Sequence, residues 1–234
     1  MAEQDSLRER LRAQDVAGFV AEDVTLVGGV DISFVKGSAT GEACVSLVVV
    51  SLPSLRIVYV DCVPVRMTQP YIPGFLAFRE VDFLVARIEH LRATRPGLVP
   101  QAILVDGNGV LHPRGFGLAS HLGVLVGIPT VGVGKTLFAL DGLEEHSVKR
   151  IAATRLRKGG DAMPLVGKSG RTWGVALRTM DDAPNPVFVS VGNDISLSSA
   201  VAIVRRCGRF RVPEPIRQAD LQSRRYLREH HNEQ

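Results

Sequence analysis

The sequence predicts a single α/β domain: a mixed sheet, three antiparallel strands then alternating α and β, with helices on both faces. Three observations predict it. Residues 26–67 hold three consecutive runs rich in Val and Ile, separated by turn residues. From residue 75 the apolar positions switch to helical spacing. Beyond that, strand-like and helix-like stretches alternate. Such an order gives a mixed sheet that must bury both faces, and nothing marks a linker.

The elements follow in order. Residues 6–13 read as a short basic helix capped by Ser6. Leu26–Val35, Ala43–Leu52 and Arg56–Met67 read as strands. Lys36-Gly37-Ser38 and Pro53-Ser54 are turn chemistry, so the three pair as an antiparallel meander. Gln69–Gly74, with two prolines, is a stiff loop. Residues 75–95 form a long helix, with Phe78, Val81, Leu84, Ile88 and Leu91 on one stripe. Gln101–Asp106 is a buried strand ending in a glycine turn, Gly115–Gly127 an apolar helix, and Pro129–Val133 a further strand. A helix at 145–157 precedes a Gly-rich surface stretch. Arg171–Thr179 and Pro186–Val191 are strands, and Ser196–Arg206 and Pro215–His230 are helices. Residues 1–25 stand as a short N-terminal extension before one catalytic domain, 26–234.

Composition narrows the class. Apolar residues are 45% and charged residues 22% of 234, as in ordinary globular proteins. No apolar run approaches the roughly 18 residues of a membrane span, so no membrane is expected as partner. The N-terminus is polar, without a signal-peptide core. Cys44, Cys62 and Cys207 are odd in number and widely spaced. That argues against a disulfide framework and a cysteine zinc site and favours a reducing compartment. The net charge is +4. Arg8, Arg10 and Arg12 cluster early, while Arg205, Arg206, Arg209, Arg211, Arg217, Arg224, Arg225 and Arg228 crowd the C-terminal end. Arginine's planar, always-charged fork suits phosphate, although a solvated basic helix face has the same pattern.

Three acids carry the chemical signal. Asp31 falls inside the first strand, where acids are depleted. Asp106 ends an apolar strand, where α/β sheets bind ligands. Glu80 has Leu76 and Leu84 at i−4 and i+4, so it shares the stripe that faces the sheet. Any one alone reads as an ion pair or a cap. Together they place like charges in one interior region, which is costly unless neutralised. A hard divalent cation does this with oxygen ligands and water. Two such ions about 4 Å apart catalyse phosphodiester hydrolysis. Asp220, in the last helix, is a candidate fourth acid; its spacing equally suits a solvent-facing residue.

Other patterns fail. Gly132-Val133-Gly134-Lys135-Thr136 lacks the first P-loop glycine, because Pro129 stands there. Lys135 still follows a strand and can meet a phosphate. Gly107-Asn108-Gly109-Val110-Leu111-His112 lacks the third glycine of a dinucleotide fingerprint.

Several long runs in order resemble the endonuclease V family. They are Val27–Asp31, Pro70–Glu80, Val105–Gly117, His121–Val124, Val131–Lys135 and Arg211–Asp220. The wording of Asp106–His112 and Arg217–Asp220 is similar to eukaryotic members. The resemblance implies a ribonuclease H-like fold and Mg²⁺, with Mn²⁺ as substitute. Asp31 and Asp106 would hold the metal with Glu80, Asp220 would complete the centre, and Lys135 matches the family's active-site lysine. It implies cutting of single-stranded inosine-containing RNA or DNA at the second phosphodiester bond 3′ to hypoxanthine, leaving 3′-hydroxyl and 5′-phosphate ends. A eukaryotic-type member would be cytoplasmic or nuclear, nucleolus included; a bacterial one cytoplasmic.

The residues suit that expectation. A base under inspection must leave its stack. Tyr71, stiffened by Pro70 and Pro73 and followed by Leu76, can wedge into the gap. Gly107 and Gly109 permit close backbone approach, and amides there could read O6 of the base. His112 supports that pocket or a phosphate, or is a structural histidine. The pair Asn193-Asp194 departs from the His-Arg of many members. Two other readings remain: a ribonuclease H-like nuclease that reads nucleic-acid structure, and a non-catalytic inosine-RNA binding module.

Overall fold

The computed structural model describes residues 2–35, 41–67 and 76–231. The three Val-rich runs form β1 (Leu26–Phe34), β2 (Glu42–Ser51) and β3 (Arg56–Arg66). They pair antiparallel, as the turn chemistry predicts. Next come α2 (Leu76–Thr94), β4 (Ala102–Asp106), α3 (Leu118–Val126) and β5 (Thr130–Gly134); α1 (Ala2–Glu9) precedes the sheet. The chain ends with α4 (Glu145–Arg155), β6 (Ala162–Val166), β7 (Thr172–Leu177), β8 (Val187–Asn193), α5 (Leu197–Arg206) and α6 (Glu214–His231).

The strands make one eight-stranded sheet in the order β3-β2-β1-β4-β5-β8-β7-β6. β4 and β5 run parallel to β1, and the other neighbours pair antiparallel. This is the predicted mixed sheet, and it agrees with the ribonuclease H-like arrangement. Strand alternation divides the core. Val27, Val48, Val50 and Leu104 face α5 and α6, with Ile203, Val204, Ile216 and Ala219 packed on them. Val30, Leu47, Val49, Ile103 and Val105 face α2 and α3, meeting Val81, Leu84, Ile88, Leu91 and Leu122. Each such side chain contributes about 1.5–3 kcal/mol when buried. A third cluster, including Val148, Leu165 and Phe188, seats α4 at the far end of the sheet.

One glycine decides how α6 lies. A Cβ on Gly29 would sit 2.1 Å from the backbone carbon of Pro215. The first turn of α6 therefore rests directly on β1, with no side chain between them. The helix then runs along β1 and brings residues 220–223 towards Asp31.

Two local expectations are corrected. The N-terminal helix spans Ala2–Glu9, so Ser6 lies inside it and caps nothing. Leu7 fixes it by burial against Phe116 and Val124. The stretch after α4 contains β6, an edge strand whose Met163 and Leu165 point inward while Pro164 faces out. Proline is tolerated there because an edge strand has ladder donors to spare. Before β1, Ala21 and Val24 enter the core, and Arg206 donates to both their carbonyls, at 2.9 Å to Val24.

Candidate active site

Parallel pairing of β1 with β4 sets Val30 opposite Val105. The next residues along the two strands are Asp31 and Asp106, which therefore lie side by side. Glu80 comes from the opposite side: α2 turns it inward with Leu84, and it is buried. All three acids line one pocket of about 190 Å³ with Val30, Ile32, Leu84, Val105 and Leu118. The structure thus brings together the three acids picked out in the sequence.

A wider groove of about 620 Å³ shares Asp31 and Asp106 and adds Lys135 and Asp220. Lys135 follows β5, the parallel neighbour of β4, and its Nζ lies 2.5 Å from Asp106 Oδ2. Its carbonyl accepts from Arg211 at 3.1 Å, which ties down the strand end. Asp220 pairs with Arg224 Nε at 2.6 Å, one turn along α6. Phe34, Leu227 and Arg228 continue the groove beyond the acids.

The charge balance is uneven. Burial, then repulsion from Asp106 and Asp220, pushes the Asp31 carboxyl up to about 6, although Lys135 and a hydrogen bond from Ser33 pull it down. A carboxylate set with excess negative charge fits a hard divalent cation. Among the described residues, no three His, Cys, Asp or Glu side chains close into a ready-made metal cluster.

Other predicted residues are placed differently. Tyr71 and Pro73 lie outside the described residues. Leu76 opens α2, and its side chain also lies outside them. His112 is buried, with its pKa lowered by burial and by Arg114. Its Nδ1 accepts from the Arg114 amide at 3.3 Å, and Phe138 meets its ring edge-on. It lines neither the pocket nor the groove. Gly107, at φ 153°, has a torsion that side chains rarely adopt. Gly109 is small for another reason: a Cβ would sit 1.8 Å from the Val191 carbonyl oxygen. Both amides have partners within the protein. The Gly107 amide donates to Val133 O at 3.3 Å, and the Gly109 amide to Ser190 Oγ at 3.0 Å.

Asn193 and Asp194 also have an internal role. Asn193 Oδ1 accepts from the Arg12 amide at 2.8 Å, and Asp194 Oδ1 from Arg12 Nε at 2.5 Å. The Asp194 amide in turn donates to Arg12 O at 2.8 Å. The pair fastens the N-terminal segment to the end of β8. The sequence reading missed Ser33 and Ser223, which contact Asp31. Spacing could have found them. Ser33 is two residues beyond Asp31 on a strand, and Ser223 three beyond Asp220 on a helix, so each shares a face with an acid.

The family model described as Endonuclease V matches residues 5–221. Mouse endonuclease V is 54% identical over 202 residues, covering 86% of this chain and 60% of the mouse protein. This chain thus matches less than two thirds of that relative's length. The crystal structure of the catalytic domain of human endonuclease V superposes with a TM-score of 0.93 at 47% identity, covering 97% of this chain and 94% of that one. The Ciona intestinalis endonuclease V, crystallised with a 23mer DNA containing an inosine followed by a ribo-adenosine, gives 0.92 at 34% identity, covering 97% and 95%.

Proposed function

The chain belongs to the endonuclease V family, and from that premise we propose that it is a divalent-metal-dependent hydrolase of inosine-containing single-stranded nucleic acid. RNA is preferred over DNA. The bond cut is the second phosphodiester 3′ to the inosine, leaving 3′-hydroxyl and 5′-phosphate ends. The observation that carries this reading is the convergence of Asp31, Glu80 and Asp106 on one small pocket open to a groove. The Ciona relative's inosine-containing ligand supports the choice of substrate.

Asp31 and Asp106, with Glu80, would hold Mg²⁺ or Mn²⁺. When bound, the ion supplies Lewis-acid neutralisation of the scissile phosphate and activation of water. The chain's own groups do the rest. Lys135, already beside Asp106, presents an ammonium to a phosphate oxygen in the groove. Asp220 orients from α6 across the same opening. Tyr71, Pro73 and Leu76 are assigned to the wedge that replaces the extruded base. Gly107 and Gly109 shape the turn after Asp106, and His112 packs behind it rather than touching the phosphate.

Matched single strands carrying ribo-inosine, deoxyinosine or no modified base, incubated with Mg²⁺ or Mn²⁺, test this reading. Cutting confined to the inosine strands at the second 3′ bond is expected. Equal cutting of ordinary strands would favour a structure-reading nuclease. Binding without cleavage would favour a non-catalytic module.

A further inference from the structure

Asp31 is held by more than its own strand. Ser33 donates to Asp31 Oδ2 at 3.2 Å. Ser223, on α6, lies 3.3 Å from the same oxygen and 2.8 Å from Ser33 Oγ. Its hydroxyl is also 3.0 Å from the Asp220 carbonyl. Ser223 is fully buried and Ser33 nearly so. Two hydroxyls carry one proton each. Ser223 donating to Ser33, and Ser33 to Asp31, uses both protons and takes the shortest side-chain link. In such a chain each bond polarises the next. The hydroxyl contacts fall on Oδ2 and leave Oδ1 outside the relay.

We propose that Ser223 is a positioning residue for the metal-holding carboxylate. Its relay through Ser33 fixes the rotation of Asp31 and ties it to the helix that carries Asp220. A carboxylate's terminal torsion is broad and roughly two-fold, so the side chain alone does not choose an orientation. A buried hydroxyl on one oxygen, itself held by a second, does. This rests on the reading of Asp31 as a metal ligand. Ser46 supplies the contrast. It too is fully buried and joins the sheet to α6, but among the described residues its hydroxyl reaches main-chain carbonyls alone: Ala219 O at 2.9 Å and Asp31 O at 3.2 Å. It anchors the helix without touching the carboxylate.

The test is calorimetric titration of Mn²⁺ alone into the wild-type chain and into Ser223→Ala, Ser33→Ala and Ser46→Ala, each first checked by thermal melting. Ser223→Ala and Ser33→Ala should weaken Mn²⁺ binding by about tenfold or more, as loss of a ligand's hydrogen-bond partner does. Ser46→Ala should bind like wild type. In cleavage assays, the Mn²⁺ concentration for half activity should rise by the same factor in Ser223→Ala, while kcat at saturating Mn²⁺ largely recovers. If Ser223→Ala melts too low to titrate, Ser33→Ala carries the test from the strand side. Wild-type affinity in Ser223→Ala or Ser33→Ala overturns the relay. So does an equal loss in Ser46→Ala, which would mean that helix docking alone matters. If the wild-type chain binds no Mn²⁺, the metal reading itself fails and the relay with it.

Discussion

The Lys135 ammonium lies 2.5 Å from Asp106 Oδ2, at the ends of two adjacent parallel strands. The pair lines the groove, so the lysine stands ready for a second anion there. Replacing Lys135 by Ala should lower the single-turnover rate on an inosine strand about a hundredfold or more, the effect of losing one charge-stabilising donor. Asp106→Ala should abolish cutting. Rates within a few-fold of wild type in both variants would remove the pair from catalysis.

Gly29→Ala should displace α6. The added methyl meets Pro215 backbone at 2.1 Å, and backbone cannot rotate away. Overpacking of this kind costs about 1–3 kcal/mol or more, so Tm should fall by at least about 2 °C. Gly28→Ala is the control. Its methyl meets Pro100 Cγ at 3.0 Å and Ile103 Cγ1 at 3.2 Å, both side-chain atoms. Equal melting temperatures for the two variants would contradict the close docking of α6.

Glu214 opens α6 and is buried. Burial alone would raise its pKa, but hydrogen bonds from Arg217 and Gln218 outweigh it and lower the pKa below the usual glutamate value. Arg217 holds both carboxylate oxygens, at 2.7 and 2.8 Å, and stacks on Phe210. A depressed folded-state pKa gives stability that is present above the unfolded value and lost as pH falls through the folded one. The contribution of Glu214 should therefore fade in the acid range, below about pH 4.5. Urea midpoints for wild type and Glu214→Gln should differ at pH 7 and converge as the pH falls. A gap independent of pH would sink the linkage.

Asp194→Ala tests the fastening of the N-terminal segment. Asp194 combines a left-handed backbone, φ 58°, with a buried carboxylate facing Arg12. Alanine loses the acceptor and keeps the unfavourable torsion. Tm should fall by about 2–6 °C. Cleavage by the folded enzyme should be unchanged. A loss of rate at temperatures well below melting would show instead that this pair serves the site.

Most of the sheet was legible because β1, β2, β4 and β5 carry Val and Ile runs bounded by Gly, Pro or Ser. Their observed limits lie within about a residue of the reading. β6 was not legible: Gly159-Gly160 precedes it, and Pro164 sits at its centre. Its alternation of Met163 and Leu165 is too short to stand out. Asp31, Glu80 and Asp106 were conspicuous because an acid among apolar neighbours is unusual. Ser33 and Ser223 were inconspicuous because serine is ordinary on strands and helices alike. Only the seating of α6 on β1 brings their hydroxyls together. Gly109 has a second reason to be small. Its smallness suggested room for a ligand, and the carbonyl of Val191 needs the space as well.

The docking of α6 on Gly29 also has a consequence in time. During synthesis the chain emerges with Asp31, Glu80, Asp106 and Lys135 well before residues 214–231. Until that helix settles on β1, Asp220 is missing and the relay from Ser223 through Ser33 to the Asp31 carboxylate is incomplete. The grouping of Asp31 and Asp220 around one groove is therefore completed only when that helix docks.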